Sequence, residues 1–395
     1  MIEYREAIKP DAMITLPVIS ESALAAGSTS APPRASQPFV TGALETPAGT
    51  VLQVSSTLHR RDRWGAFKAR WGIGRMDQLV DPGLYALGAP CAMSEVFVSA
   101  NYKLSFDALR AALPGMNAWI LVLDTRGINV WCAAGKGTFG TNELVFRIEA
   151  CKLAQVVQHR RLILPQLGAP GVAAHEVRRR TGFKVHYGPV RAADLQAYLD
   201  GGLKATKQMR QVTFGLKDRA ILIPMELTIG LKPFALIASV FLLIATIAGY
   251  AAGAEAGIAG WLRAFQTEGL FAVIALGAAF MAGAVLHPLL LPYLPARAFS
   301  LQGLMVGLAV AIVLISWRGG PFHEWSGLLE AAAWLCIIPA ISAYLAMNFT
   351  GCSTYTSLSG VKKEMRWAMP AEIMAAAVGC VFWLASRVTS MGGIG

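Results

Sequence analysis

The sequence predicts a Rossmann-like α/β domain with a mostly parallel sheet, followed by a transmembrane α domain of five helices. Two observations predict this. Through the first half, short apolar strand-like runs alternate with amphipathic helical patterns. From about Lys232 onward, uncharged apolar stretches recur at the ~20-residue length of a helix that crosses a bilayer. A hydrophobic fraction of 55% and a mean hydropathy of +0.49 agree with a chain that is part soluble and part membrane-embedded.

Residues 1–50 are rich in Ser, Ala, Pro and Gly and read as a mobile N-terminal arm. Residues 51–203 form the α/β domain. Strands are expected at VLQVS (51–55), EVFVSA (95–100), WILVLD (119–124), RLILP (161–165) and KVHYG (184–188). Helical patterns start at Ser105 (SFDALRAAL), Thr141 (TNELVFRIEACKLAQVVQ), Ala173 (AAHEVRRRTG) and Arg191 (RAADLQAYLDGG). Ser105 and Thr141 are candidate N-caps, and Gly182 and Gly201 candidate stops. In such a sheet ligands bind at the carboxyl ends of the strands, here SANYK (99–103), DTRGIN (124–129), PQLGAPG (165–171) and GPVRA (188–192). Residues 204–232 read as a basic juxtamembrane linker. Residues 233–395 carry five spans at about 234–252, 269–291, 301–317, 328–349 and 371–388.

The net charge of +11 is explained by the membrane. Basic residues gather before the first span (Lys204, Lys207, Arg210, Lys217, Arg219, Lys232) and again at Lys362, Lys363 and Arg366. No basic run is interleaved with aromatics as a nucleic-acid groove requires, so nucleic acid is not an expected partner. The cysteines are Cys91, Cys132, Cys151, Cys336, Cys352 and Cys380, with no C-x-x-C pair to hold a cluster or zinc. No basic segment followed by an apolar one opens the chain, so the α/β half is expected to stay in the cytoplasm.

The stretch NVWCAAGKGTFG (129–140) contains GKGTFG, a literal G-x-G-x-x-G. A dinucleotide fingerprint needs its first glycine at the strand-to-helix turn and an acidic residue ~20 positions later. Gly135 instead lies well past the strand, behind Arg126–Ala134, and the later position reads LAQVVQHRR, without a carboxylate. A P-loop fails as well, because Gly137 follows Lys136 where Ser or Thr is needed. The dinucleotide reading is rejected.

A short helix fits better. Asn129 is a good N-cap, which makes Val130, Trp131 and Cys132 the first helical positions. Negative charge on a thiolate in a helix's first turn is stabilised by the positive end of the dipole, and Lys136 one turn on reinforces it. Ala133, Ala134, Gly135 and Gly137 are expected to remove bulk around the sulfur, so that the helix can lie flat against a planar macrocycle. Trp131 is expected to pack the helix back onto the domain. Against this stands the ordinary fate of cysteine on an Ala-rich helix, which is burial in a core. Cys151, Cys336 and Cys380 take that ordinary reading. Cys352 lies in the hydroxyl-rich loop FTGCSTYTSLSG, read as a solvated turn in preference to an ion path.

NVWCAAGKG resembles the cap-helix motif of the mercury-methylating corrinoid protein family (HgcA), whose corrinoid domain is related to the large subunit of the corrinoid iron–sulfur protein. The resemblance runs from about PFVTG (38–42) to the C-terminus through RWGIGRM (70–76), VFVSANYKLSFDALR (96–110), ILPQLGAPGV (163–172), HEVRRRTGF (175–183), YGPVRA (187–192) and FTGCSTYTSLSGVKKEM (349–365). Ser99 stands where the family has threonine, and the hydroxyl is retained. The resemblance implies a base-off cobalamin with Cys132 as lower axial cobalt ligand. Corrinoid contacts are expected from Ser99, Asn101, Asn129, Val130, Trp131, Ala133, Ala134, Gly135, Lys136, Gln166, Leu167, Gly168, Ala169, Gly188, Pro189 and Val190. The implied activity transfers a methyl group to Hg(II), forming methylmercury. Because Hg(II) is an electrophile, the methyl group should leave with its bonding electrons, and an electron-rich thiolate suits the metal left behind. The implied partners are a ferredoxin-like protein with two 4Fe–4S clusters, which donates electrons and helps deliver Hg(II), and a methyltetrahydrofolate-linked methyl donor.

Two rivals remain at this level. One is a membrane-bound corrinoid methyl carrier of acetyl-CoA-type one-carbon metabolism. The other is a metal transporter with a cytosolic domain, disfavoured because the spans hold hardly any ionisable residues; His287, beside Pro288 near a span end, is the main exception and reads as structural. The charge bias of the connectors (Arg297; Lys362, Lys363, Arg366 against Glu255, Glu268, Glu324) places the N-terminus inside and the C-terminus outside a multi-pass cell (inner) membrane protein. Protease added to sealed inside-out vesicles should therefore digest the α/β half; protection there would reverse the orientation.

Overall fold

The computed structural model describes residues 31–320, 322–349 and 358–392. The chain divides into two units, Met1–Phe67 with Gly74–Gln211 and Lys68–Ile73 with Val212–Gly395. The Cys352 loop and residues 1–30 of the expected arm lie outside the described residues.

The first unit holds a seven-stranded mixed sheet of order β1-β2-β3-β5-β4-β6-β7: β1 Val40–Thr46, β2 Gly49–Val54, β3 Gly83–Leu87, β4 Val96–Ala100, β5 Ala118–Leu123, β6 Arg161–Leu164 and β7 Lys184–Tyr187. All five expected strands are present within a residue or two. Two more were not anticipated. β1 forms inside the expected arm, as the edge partner of an antiparallel hairpin with β2. β3 pairs parallel with β2 and antiparallel with β5. Its five residues are all buried, and the short run GLYAL cannot be told from a buried helix turn by periodicity. Strands β5, β4, β6 and β7 run parallel, so the parallel part of the sheet is the part that carries the expected ligand loops.

In chain order β4 leads to β5 on one side, and the chain then crosses back to lay β6 on the other side of β4. That reversal opens a crevice at the carboxyl ends of β4 and β6, the point where α/β sheets bind ligands. Apolar residues pack on both faces of the sheet. Val98, Trp119, Leu121, Leu123 and Leu162 belong to one cluster, and Phe97, Ile120, Val122 and Ile163 to the other.

The helices differ from expectation mainly at their ends. Helix α1 (Arg60–Arg70) was not anticipated, because it is strongly charged and buries only Ala69 among its residues. Helix α2 (Lys103–Ala111) starts ahead of Ser105, which lies inside it; the N-cap is Tyr102. The cap helix α3 spans Val130–Lys136. Gly140, not Thr141, caps helix α4 (Thr141–Ala150), and the Thr141 hydroxyl instead accepts from the Ala173 N–H at 2.8 Å. The long helix expected after Thr141 breaks at Lys152, which takes a left-handed φ of 47°. Gly182 ends its helix with φ 78°, as predicted.

A buried ionic cluster ties α1 to α2. Lys103 Nζ bonds Asp62 at 2.8 Å and Asp107 at 2.7 Å. Arg110 reaches Asp62 at 3.0 Å and Asp107 at 2.8 Å, and donates to the carbonyls of Ser55 and Thr57. Every charge in the cluster has an opposite partner, which is the condition under which buried charges are tolerated.

The second unit contains five helical segments long and apolar enough to cross a membrane: Leu216–Ala252, Gly257–Tyr293, Phe299–Arg318, Trp325–Asn348 and Gly360–Met391. The number agrees with expectation, but the first, second and fifth begin earlier. Half of the expected linker is helical, since the helix Ile223–Ala252 continues unbroken through Lys232 and Pro233. Small residues bring backbones together, as at Gly303, where an added Cβ would stand 2.6 Å from the Ser342 carbonyl oxygen. The expectation that His287 is the main ionisable group in the spans is corrected. Glu268, Arg318, Glu330 and Arg387 form one network, with Arg318 bonding Glu268 at 2.7 Å and Arg387 bonding Glu330 at 2.6 Å as well as Glu268. Residues far apart in sequence neutralise one another there, so no single span advertises the cluster. His287 is fully buried, with Nε2 3.1 Å from Gln302 Oε1.

Burial raises the Asp62 carboxyl, but the Lys103 hydrogen bond and charge, the His59 N–H and the Arg110 charge outweigh it and hold Asp62 below its usual range. A carboxyl held down in the folded state binds its proton less readily than in the unfolded chain. Its stabilisation is therefore present above the unfolded value of ~3.9 and is lost as pH falls through the lower folded value. Asp62→Asn should cost about 3 kcal/mol at pH 7, because Lys103 and Arg110 lose a buried partner. Urea melts followed by circular dichroism should also show a smaller stability loss on acidification in the variant than in the wild type.

Candidate functional site at the switch point

The site is built on the turn between β5 and α3. Asn101, just past β4, is 4% exposed, and its side-chain oxygen accepts from the N–H of Thr125 at 3.1 Å and of Gly127 at 3.0 Å. The Thr125 hydroxyl lies 2.8 Å from the same oxygen, and the Asn101 amide nitrogen donates to Asp124 at 3.2 Å. The turn needs this help because Arg126 takes a left-handed φ of 56°, whereas Gly127 accepts its φ of 71° without strain. Asn101, expected to contact a cofactor, holds this turn ahead of the cap helix through these bonds.

Asn129 behaves as predicted. Its side-chain oxygen accepts from the Cys132 N–H at 2.9 Å and caps α3. The helix then turns Val130, Ala133 and Ala134 into the domain and leaves Trp131, Cys132, Gly135 and Lys136 exposed. Two expectations about α3 are thereby corrected. Trp131 is 38% exposed and lines the crevice, while Val130 and the alanines anchor the helix. The alanines face inward, so their smallness serves close packing and not the surface around the sulfur. On the outer face a Cβ at Gly135 would meet nothing within 4 Å, so the space beside it is open.

The glycines of GKGTFG also find their reasons. Gly137 ends α3 with φ 80°, and a Cβ on Gly140 would stand 2.6 Å from the Gly137 carbonyl oxygen. These are turn requirements, with no strand-to-helix phosphate loop. The loop after β6 seals the far end of α3. A Cβ on Gly171 would lie 2.1 Å from the Phe139 carbonyl oxygen and 3.0 Å from Ala134 Cα, and one on Gly168 would lie 2.5 Å from the buried Phe139 ring. Gly168 is thus a packing residue.

Between β4, β6 and α3 lies a crevice of about 270 Å³. It gathers Ser99, Asn129, Val130, Trp131, Leu167, Pro189 and Val190 from the predicted set, and adds Ser105, Pro165 and Leu195, which were not predicted. Gln166 and Ala169 stand on the adjoining turn, where the Gln166 N–H donates to the Pro189 carbonyl. Gly188 is buried and its N–H donates to Leu164 at 2.7 Å, closing β7 onto β6. The crevice opens beside the exposed side of α3, with Trp131 on its lining.

Among the described cysteines, Cys91 and Cys132 are exposed. The Ser94 hydroxyl holds the Cys91 thiol below its usual value, but Cys91 precedes β4 and so lies at the opposite end of the strands from the crevice. Burial pushes the Cys151 thiol up to about 11, which leaves it unreactive. Cys132 is the exposed thiol at the switch point. Among the described residues no group of three or more His, Cys, Asp or Glu side chains could hold a metal ion alone.

Asn101→Ala should cost about 2 kcal/mol, the penalty for stranding buried N–H donors, and should speed hydrogen exchange across 124–132 more than elsewhere. Gly171→Ala should destabilise by about 1–3 kcal/mol and alter the same amides, because the loop and α3 must separate. Unchanged exchange in either variant would remove these residues from the support of α3.

Residues 71–199 match the family model of the CO dehydrogenase/acetyl-CoA synthase delta subunit. Among curated proteins, the acetyl-CoA decarbonylase/synthase complex subunit gamma of Archaeoglobus fulgidus is 32% identical over 123 residues, 31% of this chain and 26% of the relative. The subunit of the same name from Methanopyrus kandleri is 30% identical over 128 residues, 32% of this chain and 27% of the relative. That from Methanocaldococcus jannaschii is 35% identical over 97 residues, 24% of this chain and 20% of the relative. This chain therefore spans about a quarter of the length of these relatives, and the family match ends before the apolar helices begin. The α/β unit, with the crevice and the cap helix in it, is related to subunits of the CO dehydrogenase/acetyl-CoA synthase systems.

Proposed function

We propose that this chain is a membrane-anchored, corrinoid-dependent methyl-transfer protein whose α/β unit holds the corrinoid. The observation that carries the reading is the capped helix α3, which presents the Cys132 thiol on an exposed face beside the open space at Gly135. That arrangement fits a planar metal macrocycle laid against the helix. A bound corrinoid supplies a metal-held methyl group that an acceptor takes.

Cys132 would ligate the cobalt from the lower face, base-off and Cys-on. Asn129 holds the first turn of α3 in register, so the sulfur's position is set by a side chain that makes no other described contact. Ser99, Val130, Trp131, Pro189 and Val190 would receive the edge of the group at the crevice. Lys136, one turn beyond Cys132, sets a positive charge on the same exposed face.

The relatives favour a methyl carrier in acetyl-CoA-type one-carbon metabolism, because they are named as subunits of acetyl-CoA decarbonylase/synthase complexes. A second reading, transfer of methyl to Hg(II), is favoured by the cysteine-bearing motif NVWCAAGKG and by its union with five apolar spans that the relatives' match does not reach. In that reading the partners are the ferredoxin-like protein with two 4Fe–4S clusters and a methyltetrahydrofolate-linked donor. This chain has no C-x-x-C pair to hold a cluster or a soft, two-coordinate ion itself.

The test is anaerobic and uses the full chain in detergent or nanodiscs. Bound methylcobalamin is measured first by its absorbance, then Hg(II) is added and methylmercury quantified, with Cys132→Ala alongside. Loss of the ligand should weaken binding or methylmercury yield by on the order of 100-fold. Methylmercury well above the variant supports the mercury reading. Binding without methylmercury leaves the carrier reading, and no bound corrinoid overturns both.

A further inference from the structure

We infer that helix α1, whose last three residues fall in the second unit, lies on an anionic bilayer surface and gives the chain a membrane contact in addition to the five spans. Its two sides are chemically opposite. Asp62, Ala66 and Ala69 recur at the spacing of one helix face, and Asp62 is engaged there by Lys103 and Arg110. On the other side Trp64 and Phe67 are 59% and 47% exposed, their rings stacked at 5.2 Å and 11°.

Basic residues flank that aromatic stripe on both sides, Arg61 and Lys68 along one edge and Arg63 and Arg70 along the other. Among the described residues none of these four makes an ion pair, and the helix's one acid is turned inward. Solvent alone gives no reason to expose two stacked rings. An aromatic stripe with cationic edges matches the headgroup boundary, where rings sit at the interface and Lys and Arg meet lipid phosphates. The complementary partner is an acidic phospholipid surface, and this chain also carries five helices long and apolar enough to cross a bilayer. The assignment is independent of the corrinoid reading.

The test uses the full chain in nanodiscs containing brominated phosphatidylglycerol or brominated phosphatidylcholine. The chain has ten tryptophans, so the signal is the difference in emission between wild type and Trp64→Phe, which keeps the apolar ring. The expected difference spectrum is quenched by brominated phosphatidylglycerol and shielded from aqueous iodide. Arg61→Gln/Arg63→Gln/Lys68→Gln should lose that quenching while its far-ultraviolet circular dichroism is unchanged. A difference spectrum open to iodide and untouched by brominated lipid would overturn the assignment, leaving the face for a protein partner. Equal quenching by both lipids that survives the triple substitution would overturn the anionic component.

Discussion

The side chain of Asn101 is the constraint on which the candidate site depends. One buried amide satisfies two backbone N–H groups and faces a hydroxyl and a carboxylate, all on the turn that leads into α3. The left-handed Arg126 makes that turn unfavourable by itself. The buried hydrogen bonds repay that strain, since leaving any of these donors unmet in the interior costs more than a normal bond contributes. Where α3 begins, and so where Cys132 stands, follows from this joint between β4 and β5.

From that joint the rest of the site is a matter of close approach. Asn129 caps the helix, Val130 and the two alanines seat it, and Gly168 and Gly171 let the β6 loop come up against its far end. The helix is only seven residues long and has no stability of its own at that length. It persists because both ends are held and its inner face is small enough to pack. The outer face is then free to serve a ligand, with one thiol, one exposed indole and a glycine that leaves the surface flat.

Charge is managed differently in the two units. In the α/β unit, Asp62, Lys103, Asp107 and Arg110 join two helices through buried ion pairs, while the other side of α1 is basic and aromatic. Among the apolar helices, Glu268, Arg318, Glu330 and Arg387 neutralise one another. Pairing of this kind meets the cost of an ionisable group within a membrane span without requiring an ion path.

Much was legible in the sequence because it rests on local physics. The five apolar spans follow from length and hydropathy, the buried strands from runs such as WILVLD, and the cap from Asn129 three residues before Cys132. These signals depend on residues close together in the chain. What only the tertiary structure decided depends on residues far apart. β1 and β3 are strands because they have partners, and α1 is a helix whose one buried acid is met by α2. The direction in which Trp131 and the alanines face, and the hold of Asn101 on the turn before α3, follow from which neighbours occupy the space beside them. Periodicity identifies a helix and its faces, but only packing decides which face the molecule covers.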